Sequence, residues 1–208
     1  MDLLDGLFIA AIIIFSVIIH EVMHGYIADR LGDPTARYAG RLTLNPIPHI
    51  DGIGSILLPI LCALTPGGFF FGWAKPVPYN PYNFQRMRVS GEALVAAAGP
   101  LSNLAIALIF GVVIRLGLAP DLNGLFLTIV AINCSLTILN LIPVPPLDGS
   151  KVLASLLPRF LSSGYAAIRA RLEYNPFLGF GLIIVLIYIF GRQFGAAVFA
   201  LASLIAGL

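Results

Sequence analysis

The sequence predicts an all-α polytopic membrane protein folded as a helical bundle. Of its 208 residues, 59% are hydrophobic and only 11% are charged, whereas about a quarter of the residues in a soluble domain are charged. Apolar runs over 7–27, 91–118 and 122–141 each reach the ~20 residues that a helix needs to span a bilayer. A further apolar stretch covers 176–208. We therefore expect an integral, multi-pass protein that has the lipid bilayer as its immediate partner.

Composition also excludes some functions. The chain has 12 Lys and Arg against 10 Asp and Glu, a net charge of +2, and this weak excess does not make the basic surface of a nucleic-acid-binding protein. The two cysteines, Cys62 and Cys134, both lie in apolar stretches, so we expect neither a disulfide framework nor a cysteine metal site. We expect one membrane-embedded domain over 1–208, with its core at 7–158 and a C-terminal helical region at 159–208.

The connections between the spans are irregular. The alternation of apolar and polar side chains over 36–44 predicts one or two short β-strands at the membrane surface. The apolar segment 52–72 is broken by prolines and glycines, so it is either a span or a re-entrant element. The short apolar helix within 149–158 is expected to be re-entrant or shallow.

Three polar residues lie inside the first apolar run. His20 and His24 are four residues apart, so an α-helix places them on one face, one turn apart, where both can bind a single metal ion. Glu21 is adjacent and can accept a proton from the attacking water as a general base. This is the His-Glu-x-x-His pattern of zinc proteases. Ionisable groups at this depth are costly without partners, so we favour a zinc site over histidines that merely bond backbone carbonyls.

Two histidines leave a catalytic zinc one protein ligand short. Asp148 is the candidate for the third, because it follows a proline-rich break at the end of an apolar run, where an unpaired carboxylate is expensive. The alternative is that Asp148 caps the N-terminus of the helix that follows, a position that favours aspartate.

Binding of one zinc ion by His20, His24 and Asp148 constrains the membrane topology. If 91–118 and 122–141 both cross, Asp148 reaches the side on which the first helix ends only if 52–72 does not cross. With 52–72 and 149–158 treated as shallow, all Lys and Arg except Arg115 and Arg192 fall on that side, which makes ten of the twelve. An excess of Lys and Arg marks the cytoplasmic face, so we expect the zinc site towards the cytoplasm.

Several motifs together resemble one known family. They are His20-Glu-Val-Met-His24, Asn140-x-x-Pro-x-Pro-x-Leu-Asp148-Gly, Gly99-Pro-x-x-Asn103, and the segments at 40–51 and 72–78. The chain resembles the site-2 protease family of intramembrane zinc metalloproteases, in particular its short prokaryotic members. The resemblance covers the first three quarters of the chain, and it implies a prokaryotic plasma membrane.

The resemblance implies a role for each candidate residue. His20, His24 and Asp148 would be the Zn²⁺ ligands and Glu21 the general base. Asn140 and Asn103 would be amide donors that polarise the scissile carbonyl or steady the oxyanion, although helix–helix hydrogen bonding is an alternative for both. His49 would be an auxiliary site residue, with an ordinary surface histidine as the alternative.

The expected activity is zinc-dependent endopeptidase cleavage within or near the transmembrane segment of a membrane-protein or membrane-anchored substrate. A metal transporter is the main alternative, but its permeation route would need polar residues throughout the membrane, and this sequence concentrates them on one side. A catalytically inactive scaffold is the third possibility, and an intact Glu21 argues against it.

Overall fold

The computed structural model describes residues 3–57, 72–85 and 90–208, and these are mainly helical, with no β-strand among them. The α-helices in chain order are α1 (Leu3–Arg30), α2 (Thr35–Tyr38), α3 (Gly91–Arg115), α4 (Asn123–Leu141), α5 (Asp148–Leu156), α6 (Arg159–Tyr174) and α7 (Pro176–Ala206). Short 3₁₀ turns occur at Ile47–His49, Pro81–Asn83 and Pro120–Leu122, and a single π-helical stretch at Gly52–Leu57.

Within the described ranges, four helical segments are long and apolar enough to cross a membrane. They are Leu4–Arg30, Gly91–Arg115, Pro120–Leu141 and Phe177–Ala206. Three of them coincide with the spans expected from the sequence, and the fourth is the C-terminal apolar stretch. The prediction of a mainly helical fold with several helices long and apolar enough to span a membrane is confirmed.

The prediction of surface strands over 36–44 was wrong. Thr35–Tyr38 forms a short helix, and the backbone after it closes local turns, with Ala39 N donating to Thr35 O and Gly40 N to Arg37 O, both at 3.0 Å. Gly40 takes a left-handed φ of +65°, which ends the helix at little cost for glycine. A segment with an alternating pattern becomes a strand only if a neighbouring strand pairs with its backbone N–H and C=O groups. Here the backbone amides of 38–41 form hydrogen bonds within local turns instead.

The two segments expected to be shallow are described to different extents. Of 52–72, the part over Gly52–Leu57 is π-helical, and most of the rest lies outside the described residues. The predicted short helix near 149–158 is α5, nine residues long. At 1.5 Å per residue it is about 14 Å long, less than half the ~30 Å hydrocarbon core, so it does not cross.

The chain forms two compact units, Met1–Arg86 and Met87–Leu208. In the first unit, residues 72–80 form neither helix nor strand, and they bond to the segment before them, with Lys75 N donating to His49 O at 2.9 Å. Further along, Gln85 N donates to Leu31 O just past α1, also at 2.9 Å, while Phe84 is fully buried. The segment 72–85 is therefore held closely within its unit. That the whole chain is one domain stays a prediction.

In the second unit, α3, α4 and α7 pack around a small apolar core of Ala107, Val130, Cys134, Ala202 and Ile205. At one end, Arg115 at the C-terminus of α3 donates through Nε to Ile205 O of α7 at 2.8 Å. At the other end, Arg169 of α6 pairs with Glu92 in the first turn of α3 at 2.5 Å. The start of α3 and α6 therefore lie together, opposite the end that holds Arg115.

Candidate metal centre

Two histidines and a glutamate meet near the C-terminal end of α1. His20 and His24 are each 6% exposed, and their ring centroids are 4.7 Å apart with the planes at 87°. The potential ligand atoms of His20, Glu21 and His24 all lie within 4.8 Å of one another. Ligand atoms of a tetrahedral zinc are about 3.4 Å apart, so small side-chain rotations would bring the two imidazoles to one ion, with the Glu21 carboxylate beside it. Imidazole nitrogens suit zinc, and His20 and His24 therefore fit the predicted metal.

Glu21 has a backbone partner that sequence reasoning missed. The amide of Val77 donates to Glu21 Oε2 at 2.9 Å. Val77 stands between Pro76 and Pro78, which have no N–H, so it is the one donor in this tripeptide. The residue before a proline also favours an extended backbone. The proline pair therefore marks Val77 as a backbone donor in the sequence. The sequence does not indicate which distant acceptor the Val77 amide bonds to.

Gly25, directly after His24, lets the rest of the first unit approach α1 closely. A Cβ there would lie 2.7 Å from Val77 Cγ1, 2.8 Å from Leu42 Cδ2 and 2.9 Å from Ala36 Cβ. All three distances are shorter than ordinary contacts between carbon atoms. The glycine therefore allows Val77 and α2 to pack beside the His/Glu cluster.

Asp148 lies in the second unit and is 8% exposed. It is the first residue of α5, and the N-cap position belongs to Leu147, with no side-chain cap hydrogen bond. The structure thus puts Leu147 rather than Asp148 at the N-cap, and a carboxylate in the first helical turn favours the helix dipole.

The backbone around Asp148 is closely packed. A Cβ on Gly149 would overlap the carbonyl groups of Leu141 and Ile142 at the end of α4, so α5 can start there only with glycine. Tyr165 of α6 holds the same loop from another side, because its hydroxyl lies 3.1 Å from Ser150 O and 3.3 Å from Pro143 O. Burial raises the pKa of the Tyr165 hydroxyl above its ordinary value.

The two asparagines differ. Asn103 is fully buried, and its Nδ2 donates to Asn133 Oδ1 at 2.9 Å, joining α3 to α4. That arrangement favours the helix–helix alternative for Asn103. Asn140 is half-buried near the end of α4, and its Nδ2 donates to Leu136 O at 3.0 Å. Because a primary amide carries two N–H groups, this bond uses only one of them.

His49 is not a surface residue, since only 2% of it is exposed, and the surface alternative was wrong. Its Nε2 lies 2.9 Å from Thr43 O, which requires the proton on Nε2. Nδ1 is buried and has no hydrogen-bond partner among the described residues. The structure leaves the auxiliary role of His49 a prediction.

Comparison with known proteins agrees with this site. Residues 117–175 match the sequence profile of peptidase family M50. Over 196 residues, which make up 89% of this chain and 81% of its relative, the chain is 36% identical to a Bacillus subtilis protein named "Putative zinc metalloprotease YwhC". It is 31% identical over 150 residues to the correspondingly named Rip2 of Mycolicibacterium smegmatis, covering 69% of this chain and 56% of that protein. No solved structure matches the chain.

In the described part of the chain, four apolar helices are long enough to span a membrane, and one of them carries a His-Glu-x-x-His cluster, the pattern of zinc metalloproteases. Within that class, the extent of the match to YwhC shows the family. The chain belongs to peptidase family M50, the site-2 protease family that its motifs resemble. This confirms the predictions of a metalloprotease and of zinc as its metal.

Proposed function

We propose that the chain is an intramembrane zinc endopeptidase that hydrolyses a peptide bond within or near the transmembrane segment of a membrane-protein substrate. The observation that carries the proposal is the His20, Glu21 and His24 cluster, with ligand atoms within 4.8 Å, on a helix long and apolar enough to span. His24 is six residues from the end of α1 at Arg30, or about 9 Å along the helix. The scissile bond would therefore be reached below the membrane surface.

In this proposal His20, His24 and Asp148 hold the zinc ion. When bound, zinc supplies Lewis-acid chemistry, making water more acidic and polarising a carbonyl. Glu21 accepts the proton of the attacking water and passes it to the leaving amine. The Val77 amide holds Oε2 of this carboxylate, which leaves Oε1 to face the water. Asn140 offers its second N–H to the substrate carbonyl, as an oxyanion donor does.

We further propose that the centre faces the cytoplasm. Glu92, where α3 begins, pairs with Arg169 of α6, and Arg115 lies at the opposite end of the same unit against α7. Lys151, Arg159, Arg169 and Arg171 follow Asp148 in the chain, before α7, and a basic face of this kind is the cytoplasmic one.

Cysteine labelling tests this orientation. In a Cys62→Ala/Cys134→Ala background, Tyr174→Cys should be labelled from the cytoplasmic side and Leu118→Cys from the outside, since both side chains are well exposed. Labelling of both from one side, or in the reverse sense, would overturn the orientation.

The variant Glu21→Gln tests the function. It keeps the size of the side chain and leaves His20, His24 and Asp148 untouched, so zinc should stay bound. Loss of the general base should lower the cleavage rate of a single-span membrane substrate by about 10²- to 10⁴-fold. The measurements are cleavage in detergent and zinc content of the same samples.

Two other functions give different results in the same samples. A transporter would move zinc into proteoliposomes without cleaving the substrate, and a scaffold would be indifferent to Glu21→Gln. If zinc-loaded wild-type protein cleaves no faster than Glu21→Gln, the protease proposal fails.

A further inference from the structure

Outside the metal cluster, Asp33 is a carboxylate of the first unit that accepts several hydrogen bonds. It is fully buried in the short connection between α1 and α2. Its Oδ1 accepts from Thr35 N at 3.2 Å, from Thr35 Oγ1 at 2.5 Å and from Asn83 Nδ2 at 2.8 Å. Its Oδ2 accepts from Asn80 N at 2.6 Å. Burial alone raises the pKa of the Asp33 carboxyl, but the hydrogen bonds from Thr35, Asn80 and Asn83 outweigh it and hold that pKa below its usual range.

These partners belong to two parts of the chain. Thr35 begins α2, whereas Asn80 and Asn83 lie about fifty residues later, in the segment 72–85. The same segment is held next to this point by the bond from Gln85 N to Leu31 O. Asp33 therefore fastens the later part of 72–85 to the chain just after α1, through bonds of the stronger, charge-assisted kind.

The fastened segment is also the one that contacts Glu21. Val77, whose amide donates to Glu21 Oε2, is three residues before Asn80. Three residues span at most about 10 Å, and one of them is Pro78, with its φ fixed by the ring. Such a short, stiff connection transmits a displacement of Asn80 to Val77.

We propose that Asp33 is a positioning residue for Glu21, acting through Asn80 and Val77 to hold the carboxylate in its working orientation. The proposal rests on the proposed role of Glu21 as general base. It adds a charged residue, distant from the reacting atoms, on which the rate should depend.

The test is Asp33→Asn in the full-length protein, because asparagine has the same shape but carries an NH₂ in place of one oxygen. Whichever way the amide turns, it sets a donor against Asn80 N or against Thr35 N and Asn83 Nδ2. We expect faster hydrogen exchange of the amides over 77–83 and a kcat lowered about 10- to 100-fold, as for a misplaced catalytic group. KM and zinc content should stay within about twofold, because neither ligands nor substrate contacts change.

Two further variants separate positioning from general damage. Asp29→Asn is the matched control, because Asp29 is a carboxylate near the end of the same helix whose ion-pair partner is Arg37 of α2, outside 72–85. It should leave exchange and kcat unchanged. Asp33→Asn/Asn83→Asp reverses the amide and carboxylate of the Asp33–Asn83 pair, and it should recover part of the lost kcat.

The outcomes are distinct. Faster exchange over 77–83 with unchanged kcat would overturn the positioning role, and so would an equal loss of kcat in Asp29→Asn. If Asp33→Asn does not fold, Asn83→Ala removes one of the four bonds, and its kcat must fall in the same direction for the proposal to stand. A wild-type protein no faster than Glu21→Gln would instead overturn the proposed function itself.

Discussion

The two units place their candidate metal ligands by different physical means. In the first unit, hydrogen bonds fix the surroundings of the cluster, with the Val77 amide on Glu21 and the buried Asp33 joining separate segments. In the second unit, close backbone packing places Asp148, since Gly149 lies against the carbonyls at the end of α4. We expect the first unit to respond to changes in side-chain charge and the second to changes in side-chain volume. Their responses to mutation should therefore differ in kind.

The largest expected effect is on zinc retention. His20→Ala or His24→Ala should abolish zinc binding, because each leaves a poor remnant of the site. Asp148→Asn should weaken zinc retention without abolishing it, since an amide is a poorer ligand than a carboxylate. Metal content after gel filtration in detergent measures both, with the exposed Asp121→Asn as control.

Full zinc occupancy in both histidine variants would contradict the ligand assignment. Unchanged zinc affinity in Asp148→Asn would confine the metal centre to the first unit. The second unit would then support the centre without binding the metal.

A smaller effect is expected when each unit is given one extra methyl group. Gly149→Ala places it against backbone carbonyls that cannot move aside, whereas Gly25→Ala places it against the side chains of Val77, Leu42 and Ala36. Both changes gain similar helix propensity, so the difference reports packing. We expect Gly149→Ala to be less stable than Gly25→Ala by about 2 kcal/mol, measured by thermal unfolding in detergent. Equal stabilities would show that packing restrains the two units alike.

The last expected effect is a dependence of stability on pH. The Asp33 pKa is lowered in the folded protein, so its contribution to stability is complete above the unfolded pKa of about 3.9 and is lost as the pH falls through the lower folded value. Asp33→Asn should cost about 1–3 kcal/mol at neutral pH, and that cost should shrink in acid below pH ~4. Gly149→Ala should instead shift the whole curve of unfolding temperature against pH by a constant amount. A constant shift for Asp33→Asn as well would contradict the electrostatic account.

Sequence reasoning worked where a feature depends on one local pattern. His20 and His24 needed only the four-residue spacing of a helix, and the spans needed only length and apolarity. It failed where the structure depends on contacts between segments that are far apart in the sequence. The alternation at 36–44 predicted strands, but local turns took the backbone bonds. The contacts of Glu21 with Val77 and of Asp33 with Asn80 join residues 56 and 47 positions apart, and no local pattern specifies such pairs.

The proline pair around Val77 has one more consequence. In an extended segment, alternate residues direct their backbone groups to opposite edges, so the edge shared by Lys75 and Val77 is used by bonds to His49 O and Glu21. The opposite edge belongs to Pro76 and Pro78, which offer carbonyl oxygens but no N–H. Another extended chain could donate to this edge but could not receive hydrogen bonds from it. An edge without N–H donors is a poorer template for pairing with another chain than an edge that both donates and accepts.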